Sequence, residues 1–424
     1  MPDTLTTYDA AMKDVFLPGI KNTLNNDVTM FQIANAAAET AGGRRLIGAV
    51  KVDRNWGLGT RTETGALPTA GNEVYVTSTV TPTYFFARFQ VSDPLLEQAK
   101  GDQAAFADAM TEMMDSTVQN SKTYFNRMLY NGSRGDIMRF DQARATASTA
   151  SFVVTSTVAT GVFPRGNPAR YLAEGQILDG LTYDSAGAAA TATNATAFTS
   201  AALASVTVDT AGTTTITFAA TANGTATVTV VSGTILVFTG SANRDFLGLE
   251  EGIENSGTYL GIARGSFRNR GWRGNVEHNS GTLRSLSLDL LQQAWDGVSE
   301  ASGRDAAVSH LIGHYSVRRQ YIQLLSNDIR FAPMELKGGQ NVLSFNGAEF
   351  KFEKDAPYHT IYGIDASTWH LYKVADFSWL DRDGSVLSRV NNLAAYEATL
   401  KMYGNFATDA PNRNFKITDV NATL

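Results

Sequence analysis

The sequence predicts a mixed α+β fold in which helices and antiparallel strands are largely segregated along the chain. Three observations carry this. Residues 46–91 read as one long extended arm, residues 102–131 as one long amphipathic helix, and the chain from Leu283 onward as hairpins interrupted by helices. The arm holds strand-like runs at each end, LIGAVKV from Leu46 and VYVTSTVTPTYFFARFQV from Val74. Between them lies the Gly- and Thr-rich stretch RNWGLGTRTETGALPTAGNE. An isolated two-stranded ribbon is marginal in water. It needs a second surface, and the expected supplier is another chain.

Residues 1–45 form an arm-like start. Tyr8, Met12, Val15, Phe16 and Ile20 suggest a short helix cut at Pro18-Gly19, with further breaks at Asn25-Asn26 and Gly42-Gly43. After the arm, Ser92-Asp93-Pro94 is a helix start, with capping side chains ahead of a proline at the first helical position. Gly101 stops that short helix and Asp102 can cap the long one. Phe106, Met110, Met113, Met114, Val118, Tyr124, Phe125, Met128 and Leu129 follow at spacings of mostly three or four, a single apolar stripe. Asn131-Gly132 ends the helix. At ~1.5 Å per residue it is on the order of 40 Å long. Core packing is the expected use of its methionines.

Residues 141–245 change character. From Ser185 to Ala242 the only charged residue is Asp209. Val206 and Val208, Ile216 and Phe218, Val228 and Val230, and Ile235 and Val237 alternate as strands do. Asn223-Gly224 and Ser232-Gly233 are hairpin signals between them. A small inserted β-sandwich or barrel is expected, with Ala186 to Ser205 as a low-complexity, mobile loop. Beyond Leu283 the stripe Leu286, Leu290, Leu291, Ala294, Trp295 and Val298 predicts a helix ending at Gly303. A second helix begins at Ser316. Strands follow: VLSFNGAEFKFEKD with Asn346-Gly347 as a type I′ turn, HTIYGI, WHLYKV, a hairpin at Asp381 to Gly384, and two closing strands in LAAYEATLKMYGNFATDAPNRNFKITDV.

Composition narrows the function. The 424 residues contain no cysteine, so disulfides and thiolate metal sites are excluded. A net charge of −6 disfavours a dedicated nucleic-acid binder but suits a wall that faces a polyanion without holding it. The N-terminus lacks the pattern of a signal peptide, and no stretch approaches the ~18 apolar residues of a membrane helix. A soluble protein that nothing exports is therefore expected.

No catalytic constellation emerges. His310 and His314 have the spacing of a metal pair on a helix, but Ser309 and Ile312-Gly313 favour a strand-to-helix transition there. Asp381-Arg382-Asp383-Gly384 opens like a calcium loop, yet Asn392 stands where its closing Glu belongs. There is no P-loop and no Gly-x-Ser-x-Gly elbow. Gly57-Leu58-Gly59 has no helix after it. The segment RGSFRNRGWRG, Arg264 to Gly274, sets four arginines beside Phe267 and Trp272. It reads either as a nucleic-acid contact or as a loop whose arginines meet carboxylates of a neighbouring subunit, and the acidic chain favours the second.

Several segments together resemble the major capsid proteins of tailed bacteriophages, the HK97-like fold. They are the arm at 46–91 followed by the helix at 102–131, then GTYLGIARGSFRNRGWRGNV, then FNGAEFKFEKDAPYHTIYGIDASTWHLY, and the ending YGNFATDAPNRNFKITDV. The resemblance implies an N-terminal arm at 1–45, an extended E-loop at 46–91 and a spine helix of the P-domain at 92–140. It further implies an inserted β-rich domain at 141–245, A-domain and P-domain segments at 246–390, and closing P-domain strands at 391–424. It implies a structural protein without cofactor, metal or enzymatic activity. Copies would assemble into hexamers and pentamers of an icosahedral shell around double-stranded DNA, within the virion, after assembly in the host cytoplasm. Implied partners are other copies, a separate scaffolding protein, a portal, a decoration protein, and DNA by weak contact; no membrane is involved. The family's covalent lysine–asparagine crosslink is not expected, because Lys51 is the only lysine of the arm and sits at its base. Candidate inter-subunit contacts are Trp56, Arg61 and Glu63 in the arm, with Arg268, Arg270 and Trp272 in the basic segment. The alternatives are an encapsulin-like nanocompartment shell and a β-rich adhesin or carbohydrate-binding protein.

Overall fold

The computed structural model describes residues 28–40, 42–94, 103–130, 132–135, 137–139, 144–146, 151–154, 171–182, 195–208, 214–218, 228–230, 235–303, 308–326, 334–335, 341–381 and 385–421. The expected helix near Tyr8, the body of the helix begun at Pro94, the turns at Asn223 and Ser232, and the tip of the Asp381 hairpin lie outside the described residues.

The first layer is a five-stranded sheet built on Ala395–Thr408. This strand pairs antiparallel with Trp369–Trp379, with Ser388–Arg389 and with Thr83–Ser92. Ala38–Thr40 adds in parallel to Trp369–Trp379. Two helices cover the sheet, α1 (Thr29–Ala36) and the long α2 (Gln103–Tyr130). Met30 and Ala34 of α1 and Phe125, Met128 and Leu129 of α2 pack on Trp369, Leu371, Met402 and Phe406. The C-terminal part of the α2 stripe, Tyr124 to Leu129, thus packs as its spacing predicts, and the helix's last six residues are fully enclosed. In Thr83–Ser92 the pleat turns Phe85 inward, stacked on Tyr124 at 6.0 Å, and leaves Tyr84 and Phe86 exposed.

The run that begins at Val74 differs from expectation. It is two strands, because the ladder stops at Thr81-Pro82. Proline has no N–H to give and restricts the residue before it. Val74–Val80 pairs only with Leu46–Asp53, whereas Thr83–Ser92 belongs to the body. The projecting arm is therefore residues 46–80.

The second layer is a six-stranded sheet in the order Asn275–Glu277, Phe415–Ile417, Ile361–Ile364, His310–Gly313, Ala348–Phe352, Ser344–Phe345. It is packed by α3 (Leu288–Ser302) and α4 (Tyr315–Ser326). Ser287 caps α3 by accepting from Leu290 N–H at 3.1 Å, and Gly303 ends it at φ 85°. Asn346 and Gly347 take φ of 47° and 86°, the left-handed pair of a type I′ turn. The strand His310–Gly313 runs directly into α4, so His310 and His314 share no helix face. His314 Nδ1 instead accepts from Ser316 N–H in the first turn of α4.

The third unit holds the uncharged segment. Six strands run in the order Met138–Arg139, Ile235–Phe238, Ile177–Thr182, Ala195–Val208, Thr214–Phe218, Ser151–Val154, and Val228–Val230 pairs with Arg144–Thr146. The expected mobile loop is corrected in part. Ala195–Val208 is a 14-residue strand. Its backbone pairs with a strand on each edge, which satisfies groups that composition alone leaves undecided.

Buried polar groups tie the layers together. Glu353 accepts from Thr29 and Met30 N–H at the start of α1, from Asn126 Nδ2 and from Tyr130 Oη. Asn414 is completely enclosed. Its Oδ1 accepts from Asp365 N–H and from Trp369 Nε1, both at 2.9 Å, and its Nδ2 donates to Thr368 Oγ1 and Ala410 O. Asn414→Ala leaves two buried donors without an acceptor. At ~1–3 kcal/mol each, the subunit should lose roughly 2–5 kcal/mol, read from urea unfolding of unassembled protein; a loss below about 1 kcal/mol would contradict this role.

Candidate assembly surface

Leu46–Asp53 and Val74–Val80 make an antiparallel ribbon, in register from Leu46 opposite Val80 to Lys51 opposite Tyr75, with a bulge before Asp53 opposite Val74. Its base is covered, and so is Val52 at the neck. Val80, Leu46, Val50 and Val76 pack against Tyr259, Ile262, Trp272 and Ala407. Thr79 N–H donates to Leu260 O at 2.9 Å. Where the ribbon meets the body, Asn405 Nδ2 donates to Thr81 O at 2.8 Å. Lys51 pairs with Glu73 across the ribbon's neck, and Tyr75 Oη donates to the same carboxylate at 2.7 Å. The one lysine of the arm is therefore engaged within its own hairpin.

Beyond that neck, residues 54–73 form no strand. Gly57 and Gly71 lie against each other so closely that a Cβ on Gly57 would stand 2.6 Å from Gly71 N. Further out, Arg61 donates through Nε to Ala66 O at 2.8 Å and through Nη1 to Thr60 O at 3.0 Å. Gly65 N–H closes a turn on Thr62 O at 2.9 Å. Arg61 thus braces the tip from within, while Glu63 sits on the turn, exposed. Trp56 is 60% exposed, Leu58 80% and Leu67 88%.

The basic segment divides into an inner and an outer half. Trp272 is 1% exposed and donates through Nε1 to Tyr259 O. As an expected inter-subunit contact it is corrected: its ring is enclosed by its own chain. Arg264 is equally buried, held by the carbonyls of Glu251, Gly252 and Trp272 and by the Tyr259 ring at 4.6 Å. Arg273 donates to Arg264 O. The outer half is Phe267, Arg268 and Arg270. Arg270 lies 4.9 Å from the Phe267 ring and 5.4 Å from the Trp56 ring, and pairs with Asp53 at 3.6 Å. The structure therefore brings together Trp56 and Arg270, with Arg268 beside them and Arg61 and Glu63 apart at the tip. Phe267 is read from the sequence only as a neighbour of the arginines, and Asp53 is not singled out there. An acid at a strand end three residues before a tryptophan was the available signal.

Asp53 Oδ1 accepts from Trp56 Nε1 and from Arg54 N–H. These bonds, then the Arg270 charge, hold the carboxyl below its ordinary 3.8. A depressed carboxylate stabilises the anchored loop above the unfolded pKa, and the contribution is lost as pH falls through the folded value. A fluorescence change that Trp56→Phe abolishes should therefore titrate below pH 3.8 and stay flat from about pH 5 to 8; a midpoint near neutrality would refute the anchor.

No protein-family model matches the chain, and no curated protein does either. Solved structures do. The cyanophage A-1(L) capsid asymmetric unit aligns at 12% identity over 99% of both chains, with a TM-score of 0.60. The capsid of a native GTA particle aligns at 9% identity over 99% of both chains, with a TM-score of 0.52. The holo-SrpI encapsulin complex from Synechococcus elongatus PCC 7942 aligns at 8% identity over 100% of this chain and 98% of that one, with a TM-score of 0.46. Over its whole length the chain has a mixed α+β fold that matches HK97-like phage capsids.

Proposed function

We propose that this chain is the repeating shell subunit of an icosahedral phage-type capsid that encloses double-stranded DNA. The observation that carries the reading is a ribbon whose apolar side chains its own subunit leaves open, on a fold shared end to end with capsid structures. The ribbon at 46–80 acts as the E-loop, α2 as the spine helix, the sheet with α3 and α4 as the A-domain, and the third unit as an insert. Copies meet as hexamers and pentamers, and each ribbon lies over a neighbour. Burying it there offsets the ordering entropy that it cannot recover alone. The role is structural, not catalytic. Assembly takes place in the host cytoplasm, with a separate scaffolding protein, a portal and a decoration protein as further partners. The net charge of −6 suits a wall that touches DNA weakly.

Negative-stain images of the purified full chain should show closed shells. Particles packed with protein instead of DNA would turn the reading to a nanocompartment shell. Removing residues 54–72 should leave a folded subunit, by circular dichroism, that makes no stable shells; particles of normal stability from that variant would defeat the reading of the ribbon. Denaturing electrophoresis of intact particles should give monomers only, since Lys51 is spent on Glu73, and a ladder of covalent multimers would show otherwise.

A further inference from the structure

The tip of the ribbon's loop and the surface at its neck carry opposite chemistry. At the tip, Glu63 stands on the braced turn and makes no hydrogen bond or ion pair among the described residues. Leu67, in the same loop, is almost fully exposed. At the neck, Arg268 and Arg270 face a single carboxylate, Asp53. Among the described residues the guanidinium groups of Arg54 and Arg268 make no hydrogen bond, and Trp56 and Phe267 bracket Arg270. This local excess of positive charge sits in a chain of net charge −6. The tip carries an exposed carboxylate and an exposed leucine; the neck carries guanidiniums beside exposed rings. Trp and Arg are the side chains that dominate protein interfaces.

Arg61 holds the tip in its own turn, on Ala66 O and Thr60 O. Complementary surfaces at different places on one chain make a heterologous contact, which repeats from copy to copy and forms a ring where the rotation closes. We propose that Glu63 and Leu67 at the ribbon tip of one copy seat on Arg268 and the Trp56–Phe267 pair at the ribbon neck of a second copy. The proposal rests on the shell reading above and names the surfaces that hold the ribbon down without a covalent bond. Arg61 belongs to it as the brace that presents Glu63, and Arg270 as the cation that holds the two rings apart.

A charge swap in the full chain tests it. Glu63→Arg and Arg268→Glu should each raise the protein concentration needed for assembly at least about tenfold, and the combined variant should recover to within about threefold of wild type. A second measurement uses the absence of cysteine. The pair Glu63→Cys and Arg268→Cys should give covalent multimers when oxidised particles are run under denaturing conditions, whereas either cysteine alone should give monomers. Assembly indifferent to Glu63→Arg, a swap that does not recover, or no covalent multimers from the paired cysteines would each overturn the contact. So would Arg268→Glu particles of normal stability that have lost their DNA, because the neck would then serve the polyanion. Wild-type shells that ignore the swap defeat this contact alone; wild-type protein that forms no shells defeats the shell reading as well.

Discussion

The ribbon can act on a neighbour only if it leaves its own subunit at a fixed point, and one buried amide fixes that point. Asn405 stands on the central strand Ala395–Thr408 and is 5% exposed. Its Nδ2 donates to Thr81 O, at the break between the ribbon and the body. Its Oδ1 accepts from Leu247 N–H and Phe406 N–H. Three segments remote in sequence are thus fastened by one side chain. An unmet buried amide costs more than the bond itself contributes, so the arrangement is close to all-or-none. Gly404 beside it meets Tyr372 O of the adjacent strand so closely that no side chain fits, which draws Trp369–Trp379 hard against the same strand.

A second set of polar contacts makes the subunit one body. Glu353 follows a strand of the second sheet, yet its carboxylate lies at the N-terminus of α1 and against Asn126 and Tyr130 of α2. A carboxylate there meets both unpaired N–H groups and the positive end of the helix dipole. Lys416, from the other side of the same sheet, pairs with Glu250 and Glu254, and Tyr362 Oη donates to Glu250. Charged groups this deep are tolerated only when fully partnered. Force applied to the ribbon's base therefore reaches both sheets through directional bonds, not through apolar contact alone.

Local rules made much of this legible. The α2 stripe, the Ser287 cap, the Gly303 stop and the Asn346-Gly347 turn all follow from residues within a few positions of one another, and each is where the sequence put it. The failures share a different cause. Thr81-Pro82 read as part of one strand because both flanks alternate correctly, and only the choice of partner separates them. Ala195 to Ser205 reads as part of a loop because its small side chains carry little apolar signal; paired edges decide it. Within the assembly surface, Trp56 and Arg270 were visible as residue types, and the structure made them one cluster. Trp272 was legible as an anchor but not as a buried one, since nothing local says which side of a short turn faces Tyr259. Asp53 and Asn405 act through partners far away in sequence, and no periodicity encodes that.

The pairing of Thr83–Ser92 with Ala395–Gly404 has a consequence for synthesis. The ribbon itself closes between strands near in sequence, so it can form early on the ribosome. Its mooring strand waits for a partner some three hundred residues later. At ~5–20 residues per second that interval is on the order of 15–60 s. During it the nascent chain has a finished hairpin with no socket and an uncovered strand edge. Copies translated side by side on one messenger are thereby exposed to premature association. The polar, glycine-rich loop and the strand-ending proline limit how far stray pairing can spread along that edge.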